Sequence, residues 1–210
     1  MIDLLVVDDH KIFRAGLHRM ISDEKDIRVA DEAADGATAL NKIRKGNFDV
    51  VLLDINMAGR NGFEILESIR AERPGLPVIM LSMYPEEQYA VLALRARANA
   101  YLSKDADPQE LLTAIRQVVG GGRYVTSRAA ARVLIQMDRP DSVSPHEKLS
   151  PREMQIMMKI VGGISLTEIG VQMCLSVKTV GTYRTRILEK LKLSSNAELV
   201  QYAMRHGLVS

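Results

Sequence analysis

Residues 49–57 read DVVLLDINM, and this stretch decides the fold. Four apolar side chains run unbroken from Val50 to Leu53 and stop at the acid Asp54. A short continuous apolar run suits a strand buried on both faces, not one alternating between core and water. Similar runs stand at Leu4–Val7, Arg28–Ala33, Pro77–Leu81 and Ala100–Leu102, with the run around residue 50 placed over Asp49–Leu53. Between them lie stretches with helical spacing. Ile12, Leu17, Met20 and Ile21 are expected on one face, as are Ala39, Leu40 and Ile43. The pattern repeats at Ile65, Leu66 and Ile69, at Val91, Leu92 and Leu94, and at Leu111, Leu112, Ile115, Val118 and Val119. Five strand–helix units predict a doubly wound α/β domain, a parallel five-stranded sheet with helices on both faces, over residues 1–120.

The pattern changes at Gly120, Gly121 and Gly122, which are expected to end the fifth helix. Residues 121–148 read as a linker: a possible helix over 127–137 capped by Ser127, then a polar run, 138–145, with Pro140 and Pro145. From residue 149 to 210 there is no strand pattern. Ser150–Glu153, Ser165–Glu168 and Ser195–Glu198 each have the spacing of a capping box, and Ser176 precedes a further helix. Four short helices are expected, near 151–161, 166–173, 177–191 and 196–206, forming a small all-α domain.

Composition fits this division. The chain has 210 residues, 47% hydrophobic and 26% charged, which is globular and excludes disordered, collagen-like and mucin-like classes. No apolar run approaches bilayer length, and Asp8 and Asp9 interrupt the first run too early for a signal peptide. The single cysteine, Cys174, excludes an internal disulfide and favours a reducing, cytoplasmic location. It is expected to be a small buried residue at a turn rather than a redox sensor. Residues 1–120 hold 15 Lys and Arg against 19 Asp and Glu, and residues 147–210 hold 9 against 5. The net charge of +2 therefore conceals an acidic front and a basic back, an asymmetry suited to nucleic-acid binding at one end.

In a doubly wound sheet, ligands bind beyond the carboxyl ends of the strands. Asp8 and Asp9 follow the first strand, Asp54 ends the third, Ser82 the fourth, and Lys104 follows the fifth. Gathered carboxylates repel one another, and a hard divalent ion with oxygen ligands, Mg2+ above all, relieves this. Lys104 offers a point charge to a phosphate, Ser82 a hydrogen bond, and a carboxylate can itself accept a phosphoryl group. Taken singly, each residue has an ordinary reading: Asp8 and Asp9 as helix caps, Lys104 as a surface lysine, Ser82 as a loop residue. Taken together at the strand ends, they favour a site.

The set DDH at 8–10, VVLLDINM at 50–57, VIMLS at 78–82 and AYLSKD at 100–105 resembles the receiver domain, a flavodoxin-like fold, of bacterial two-component response regulators, the NarL/FixJ family in particular. The resemblance implies that Asp54 is the phosphoacceptor and that Asp8, Asp9, Asp54 and the backbone carbonyl of Asn56 hold Mg2+. It makes Ser82 and Tyr101 the switch pair and puts Lys104 against the phosphoryl group. Phosphorylation would draw Ser82 over and let Tyr101 rotate inward, the alternative for Tyr101 being a half-buried ring with a wet hydroxyl. Three departures stand out. Ala58 replaces a common proline, so the loop 58–62 is expected to be more mobile. Asn99 and Ala100 replace a glycine-containing run. Met83 is bulky and would slow water.

Residues 149–208 resemble the LuxR-type helix-turn-helix domain that follows such receivers. The helix over 177–191 would be the recognition helix, with Val177, Val180, Ile187, Leu188 and Leu191 buried. Lys178, Thr179, Thr182, Tyr183, Arg184, Arg186 and Lys190 are the expected DNA contacts, and Glu153 and Glu168 are structural. The alternative for that helix alone is a solvated polar face. Gly181, Tyr183 and Thr185 depart from the family pattern, so base preference does not carry over. The chain as a whole is expected to be a transcription regulator, not an enzyme. A sensor histidine kinase, double-stranded DNA and a second copy of the chain would be its partners, with no membrane. A regulator that ignores phosphorylation and a metal-dependent phosphohydrolase are the rival readings; Asn56, where a second acid would be needed, counts against the latter.

Overall fold

The structure is a computed structural model, described for residues 1–57, 61–83, 86–126, 130 and 144–209, with the side chains of residues 87 and 88 left aside. The chain divides into two compact units, Met1–Val133 and Leu134–Ser210, and each is described by itself.

The first unit alternates β1 (Ile2–Val7), α1 (Lys11–Ile21), β2 (Ile27–Ala33), α2 (Gly36–Lys45), β3 (Val50–Asp54), α3 (Gly62–Glu72), β4 (Val78–Ser82), α4 (Glu86–Arg95), β5 (Ala100–Ser103) and α5 (Pro108–Val119). The five strands are parallel, in the order β2-β1-β3-β4-β5. All five residues of β3 and of β4 are buried, as expected of strands covered on both faces. Leu4, Val6, Leu52, Ile79 and Leu102 form one core with Leu17, Ile21, Leu112, Ile115 and Val118 from α1 and α5. One detail differs from the sequence reading. Ile12 is 89% exposed, because at 100° per residue it stands about 140° from Leu17; Arg14, Leu17 and Ile21 make the buried stripe instead. The fifth helix does stop at Gly120, whose N–H reaches Arg116 O.

The strand order places the site. The chain winds one way from β1 to β2, then crosses past β1 to β3 and on to β4 and β5, so the connections leaving β1 and β3 part and open a crevice at the carboxyl edge. Val7 pairs with Leu53 there, which brings Asp8 beside Asp54.

The second unit holds a 3-10 turn (Pro145–Lys148) and the helices α6 (Pro151–Val161), α7 (Leu166–Met173), α8 (Val177–Leu191) and α9 (Asn196–Arg205). Reciprocal capping boxes start α6 at Ser150 and Glu153 and α7 at Ser165 and Glu168. The box expected at Ser195 is only half made: Ser195 caps the Glu198 N–H, but Glu198 turns to the Ser194 N–H. Met154, Ile156, Ile169, Val180, Ile187 and Leu199 are buried between the helices. Val177, expected inside, is 46% exposed, since it is the first residue of α8 and precedes the turn that packs. Apart from residue 130, the expected helix over 127–137 and the polar run to 143 lie outside the described residues, as do 58–60 of the loop after Asp54.

Candidate functional site

The carboxyl edge of the sheet holds three acids and one lysine. Asp8 and Asp54 are both 1% exposed, a position that a carboxylate takes only with a partner. The partner is Lys104, whose side chain is 5% exposed and whose Nζ lies 2.7 Å from Asp8 Oδ2 and 2.9 Å from Asp54 Oδ2. β5 delivers it: Ser82 pairs with Ser103, and the Lys104 N–H then donates to Ser82 O at 2.8 Å. The Phe13 ring, 4.6 Å from Nζ, supports the ammonium from α1. Burial pushes the Asp54 carboxyl above its ordinary range; Lys104 pulls against that rise by charge and hydrogen bond, and Asp8 adds to it by repulsion.

Ligand atoms from Asp8, Asp9, His10 and Asp54 lie within 4.8 Å of one another. Three carboxylates against one ammonium leave negative charge in a partly desolvated edge, and the donors are mostly hard oxygens. That set fits Mg2+. The Asn56 N–H donates to Asp54 Oδ1 at 3.2 Å, so the chain folds back over the acid and keeps Asn56 beside it. Ser82 is wholly buried one residue past Leu81, the register partner of Asp54. Tyr101 is 2% exposed, so its ring is already inside rather than half wet. Met83, next to Ser82, is 62% exposed at the mouth.

Three residues here had no assigned role in the sequence reading. His10 Nδ1 is 2.8 Å from Asp9 Oδ1, 3.1 Å from Asp8 Oδ1 and 3.9 Å from Asp54 Oδ2. Arg14 donates to Asp8 O at 2.6 Å and to Glu32 at 2.7 Å, pinning the backbone of the acid pair. Phe13 lies under Lys104. The signal available was their place within five residues of Asp9, at the start of the first helix. His10 is the N-cap residue of that helix and makes no side-chain cap bond, while Asp8 Oδ1 accepts from the His10 N–H at 2.7 Å.

In the second unit α7 and α8 form a helix-turn-helix. Cys174 ends α7 at φ 52°, a left-handed position, and the Leu175 N–H closes back on Gly170 O at 2.8 Å. A β-carbon on Gly170 would stand 2.8 Å from Leu175 O, so the tight turn requires glycine there. Cys174 is exposed, not buried, because the left-handed residue turns its side chain off the packed face. On α8 the turn of 100° per residue groups Lys178, Thr182, Thr185 and Arg186 on one exposed face. Thr179 and Tyr183 flank it, half-buried, and the Thr179 hydroxyl meets Ser176 Oγ at 2.8 Å. Two of the expected DNA contacts are engaged within the domain. Arg184 Nε donates to Asn196 Oδ1 at 2.6 Å, toward α9, and Lys190 Nζ lies 2.7 Å from Glu153 Oε2. Among the described residues no helix is long and apolar enough to cross a membrane.

Comparison with known proteins follows the same division. Residues 4–116 match the model of the response regulator receiver domain, and residues 147–203 match that of the luxR family of bacterial regulatory proteins. The response regulator UvrY of Escherichia coli K12 is 41% identical over 209 residues, covering 99% of this chain and 96% of the relative. The response regulator GacA of Pseudomonas protegens is 40% identical over 209 residues, covering 100% and 98%. Among solved structures, RcsB of Salmonella enterica serovar Typhimurium, bound to promoter rprA with the phosphomimetic BeF3-, has a TM-score of 0.66 at 21% identity, covering 96% of this chain and 98% of that one. That likeness is one of fold. The response regulator ChrA of a heme-sensing two-component system has a TM-score of 0.54 at 29% identity, covering 99% and 98%.

Proposed function

This chain belongs to the two-component response regulators that join a receiver domain to a LuxR-type DNA-binding domain, and from that premise we propose how its residues divide the work. The protein is a DNA-binding transcription regulator, as its receiver and LuxR-family halves and its relatives UvrY and GacA require. Residues 1–120 are the receiver, 121–148 the linker and 149–210 the DNA-binding domain.

Asp54 is the phosphoacceptor. The observation that carries this is its burial beside Lys104 at 2.9 Å, at the carboxyl edge of the central strand. One Asp54 carboxylate oxygen attacks the phosphorus of a phosphohistidine on a sensor kinase; the O–P bond forms, the N–P bond breaks, and the histidine leaves. Lys104 balances the added charge, and Ser82 donates its hydroxyl to a phosphoryl oxygen. Asp8, Asp9, Asp54 and the Asn56 carbonyl would hold Mg2+, which would supply charge neutralisation for the phosphoryl transfer. Tyr101, packed inside, reports the change at Ser82 to the surface of α4, β5 and α5. The signal reaches DNA through α8 in the major groove, with a second copy of the chain on the paired half-site and the whole acting in the cytoplasm.

Acetyl phosphate with Mg2+, read by intact mass, tests the acceptor. Wild type gains one phosphoryl mass and Asp54→Asn gains none; labelling that survives Asp54→Asn overturns the assignment. Fluorescence anisotropy with duplex DNA across salt concentrations tests the rest, since binding through phosphates weakens steeply with salt.

A further inference from the structure

We propose that His10 is a ligand of the divalent cation at the acidic edge, so that the site takes a borderline ion such as Mn2+ through a mixed nitrogen and oxygen set rather than an all-oxygen one. This rests on the reading of Asp8, Asp9 and Asp54 as a cation site.

The distances carry it. A cation about 2.1 Å from each donor holds neighbouring donors about 3 Å apart and opposite ones about 4.2 Å apart. His10 Nδ1 stands 2.8 Å from Asp9 Oδ1 and 3.1 Å from Asp8 Oδ1, the first spacing, and 3.9 Å from Asp54 Oδ2, near the second. No rearrangement of the backbone is needed to bring the ring there. The His10 N–H donates to Asp8 Oδ1 at 2.7 Å, and His10 O accepts from the Arg14 N–H at 3.1 Å, so both sides of the residue are tied. The ring is not spent on the helix either, since His10 makes no side-chain cap bond to α1. Its side chain is 63% exposed, which leaves the other ring nitrogen to keep its proton in water while Nδ1 turns its lone pair on the ion.

The chemistry separates two kinds of cation. Mg2+ prefers oxygen donors and gains little from an imidazole; Mn2+ and the later divalent ions gain progressively more. A nitrogen donor therefore raises affinity for Mn2+ while leaving that for Mg2+ nearly unchanged. The consequence is a receiver that Mn2+ loads at lower concentration than Mg2+.

The test is pulsed electron paramagnetic resonance of the full-length protein with substoichiometric Mn2+. An imidazole nitrogen on the ion modulates the spin echo at nitrogen-14 frequencies. Modulation is expected in wild type and lost in His10→Ala, with Mn2+ still bound. Calorimetric titration then gives about a tenfold loss of Mn2+ affinity in His10→Ala and a change within about twofold for Mg2+. Circular dichroism confirms that the variant is folded. Bound Mn2+ without nitrogen modulation, modulation that persists in His10→Ala, or tighter binding of both ions by that variant overturns the proposal. If Asp9→Asn and Asp54→Asn abolish Mn2+ binding in those cases, the cation site itself stands and only the His10 ligand falls. If neither ion binds wild type, both readings fall together.

Discussion

A β-carbon on Gly62 would stand 2.3 Å from the carbonyl oxygen of Asp54. The first residue of α3 is thus pressed against the backbone at the end of β3, closer than any side chain permits. The Gly62 N–H also donates to Ile55 O at 3.1 Å, and Asn61 caps the helix through the Phe63 N–H. Gly62→Ala must push α3 away or bend the chain after Asp54. The expected result is a loss of about 1–3 kcal/mol of stability, typical of overpacking, together with slower labelling by acetyl phosphate. Urea unfolding and timed intact mass check both; a variant with wild-type values for each contradicts the packing argument.

Lys104 is the counter-charge of two buried acids. Lys104→Met leaves Asp8 and Asp54 facing each other without it. Stability is expected to fall by roughly 3–5 kcal/mol, the usual result of removing one partner of a buried ion pair. Added Mg2+ should restore part of the loss, because a cation binding only the folded state stabilises it by mass action. Thermal melts with and without Mg2+ read this directly. Equal melting temperatures for variant and wild type would show that the lysine is not the compensating charge.

Glu153 ties the start of α6 to the end of α8. Its side chain is 5% exposed, accepts from the Ser150 N–H at 2.7 Å and meets Lys190 at 2.7 Å. Burial works against its charge, yet the hydrogen bonds from Lys190 and Ser150 outweigh burial and hold the carboxyl below its ordinary value. A lowered carboxyl contributes stability above its unfolded value near 4.5, and that stability is lost as pH falls through the lower folded value. Glu153→Gln should therefore destabilise the second unit by about 1–2 kcal/mol at pH 7. The difference should shrink in acid, from about pH 4.5 downward, as wild type loses the same charge. A pH series of urea midpoints checks the sign; a gap that widens in acid would refute it.

The seven expected DNA contacts divide by what they touch. Lys178 and Arg186 lie on the exposed face of α8, whereas Arg184 bonds Asn196 and Lys190 bonds Glu153. Lys178→Ala and Arg186→Ala should each lower the slope of log K against log salt by about 0.9, one phosphate contact apiece. Arg184→Ala and Lys190→Ala should lower the melting temperature and leave that slope nearly unchanged. Anisotropy titrations from low to moderate salt separate the pairs. The reverse assignment would mean that α8 presents a different face to DNA.

Gly181 sits within α8, and a β-carbon there would meet nothing within 4 Å. Gly181→Ala should stabilise the second unit by about 1 kcal/mol, the helix preference of alanine. If the DNA backbone approaches that point closely, the same change weakens DNA binding while raising the melting temperature. Measuring both distinguishes a spare glycine from a contact surface.

The sequence reading located the five strands and the four helices of the second unit to within about two residues, and it missed the 3-10 turn at Pro145–Lys148. The strands were legible because Val50–Leu53 and Val78–Leu81 are continuous apolar runs, which a covered parallel sheet demands. The helices of the second unit were legible from their caps at Ser150, Ser165, Ser176 and Ser195, where side-chain oxygens do meet the expected N–H groups. The candidate site was legible as residue types at strand ends, Asp8, Asp9, Asp54, Ser82 and Lys104. What was not legible was how side chains pair across it. Ile12 and Val177 count as apolar in any pattern, yet each stands where its helix faces solvent. Cys174 counts as buried by type, yet the left-handed turn exposes it.

The order of apolar, polar and capping residues by itself determined a parallel α/β unit followed by a helix-turn-helix, because those patterns depend on local periods of one strand or one helix turn. The tertiary structure alone decided which charges are spent inside and which are left for a ligand. Arg184 and Lys190 read as free cations along the chain, but residues 12 and 37 positions away neutralise or hold them. His10 has no assigned role along the chain, but the meeting of β1 with β3 brings Asp54 within 3.9 Å of its ring. Pairings between distant residues depend on distances that sheet order and helix packing set, and no local period of the sequence encodes them.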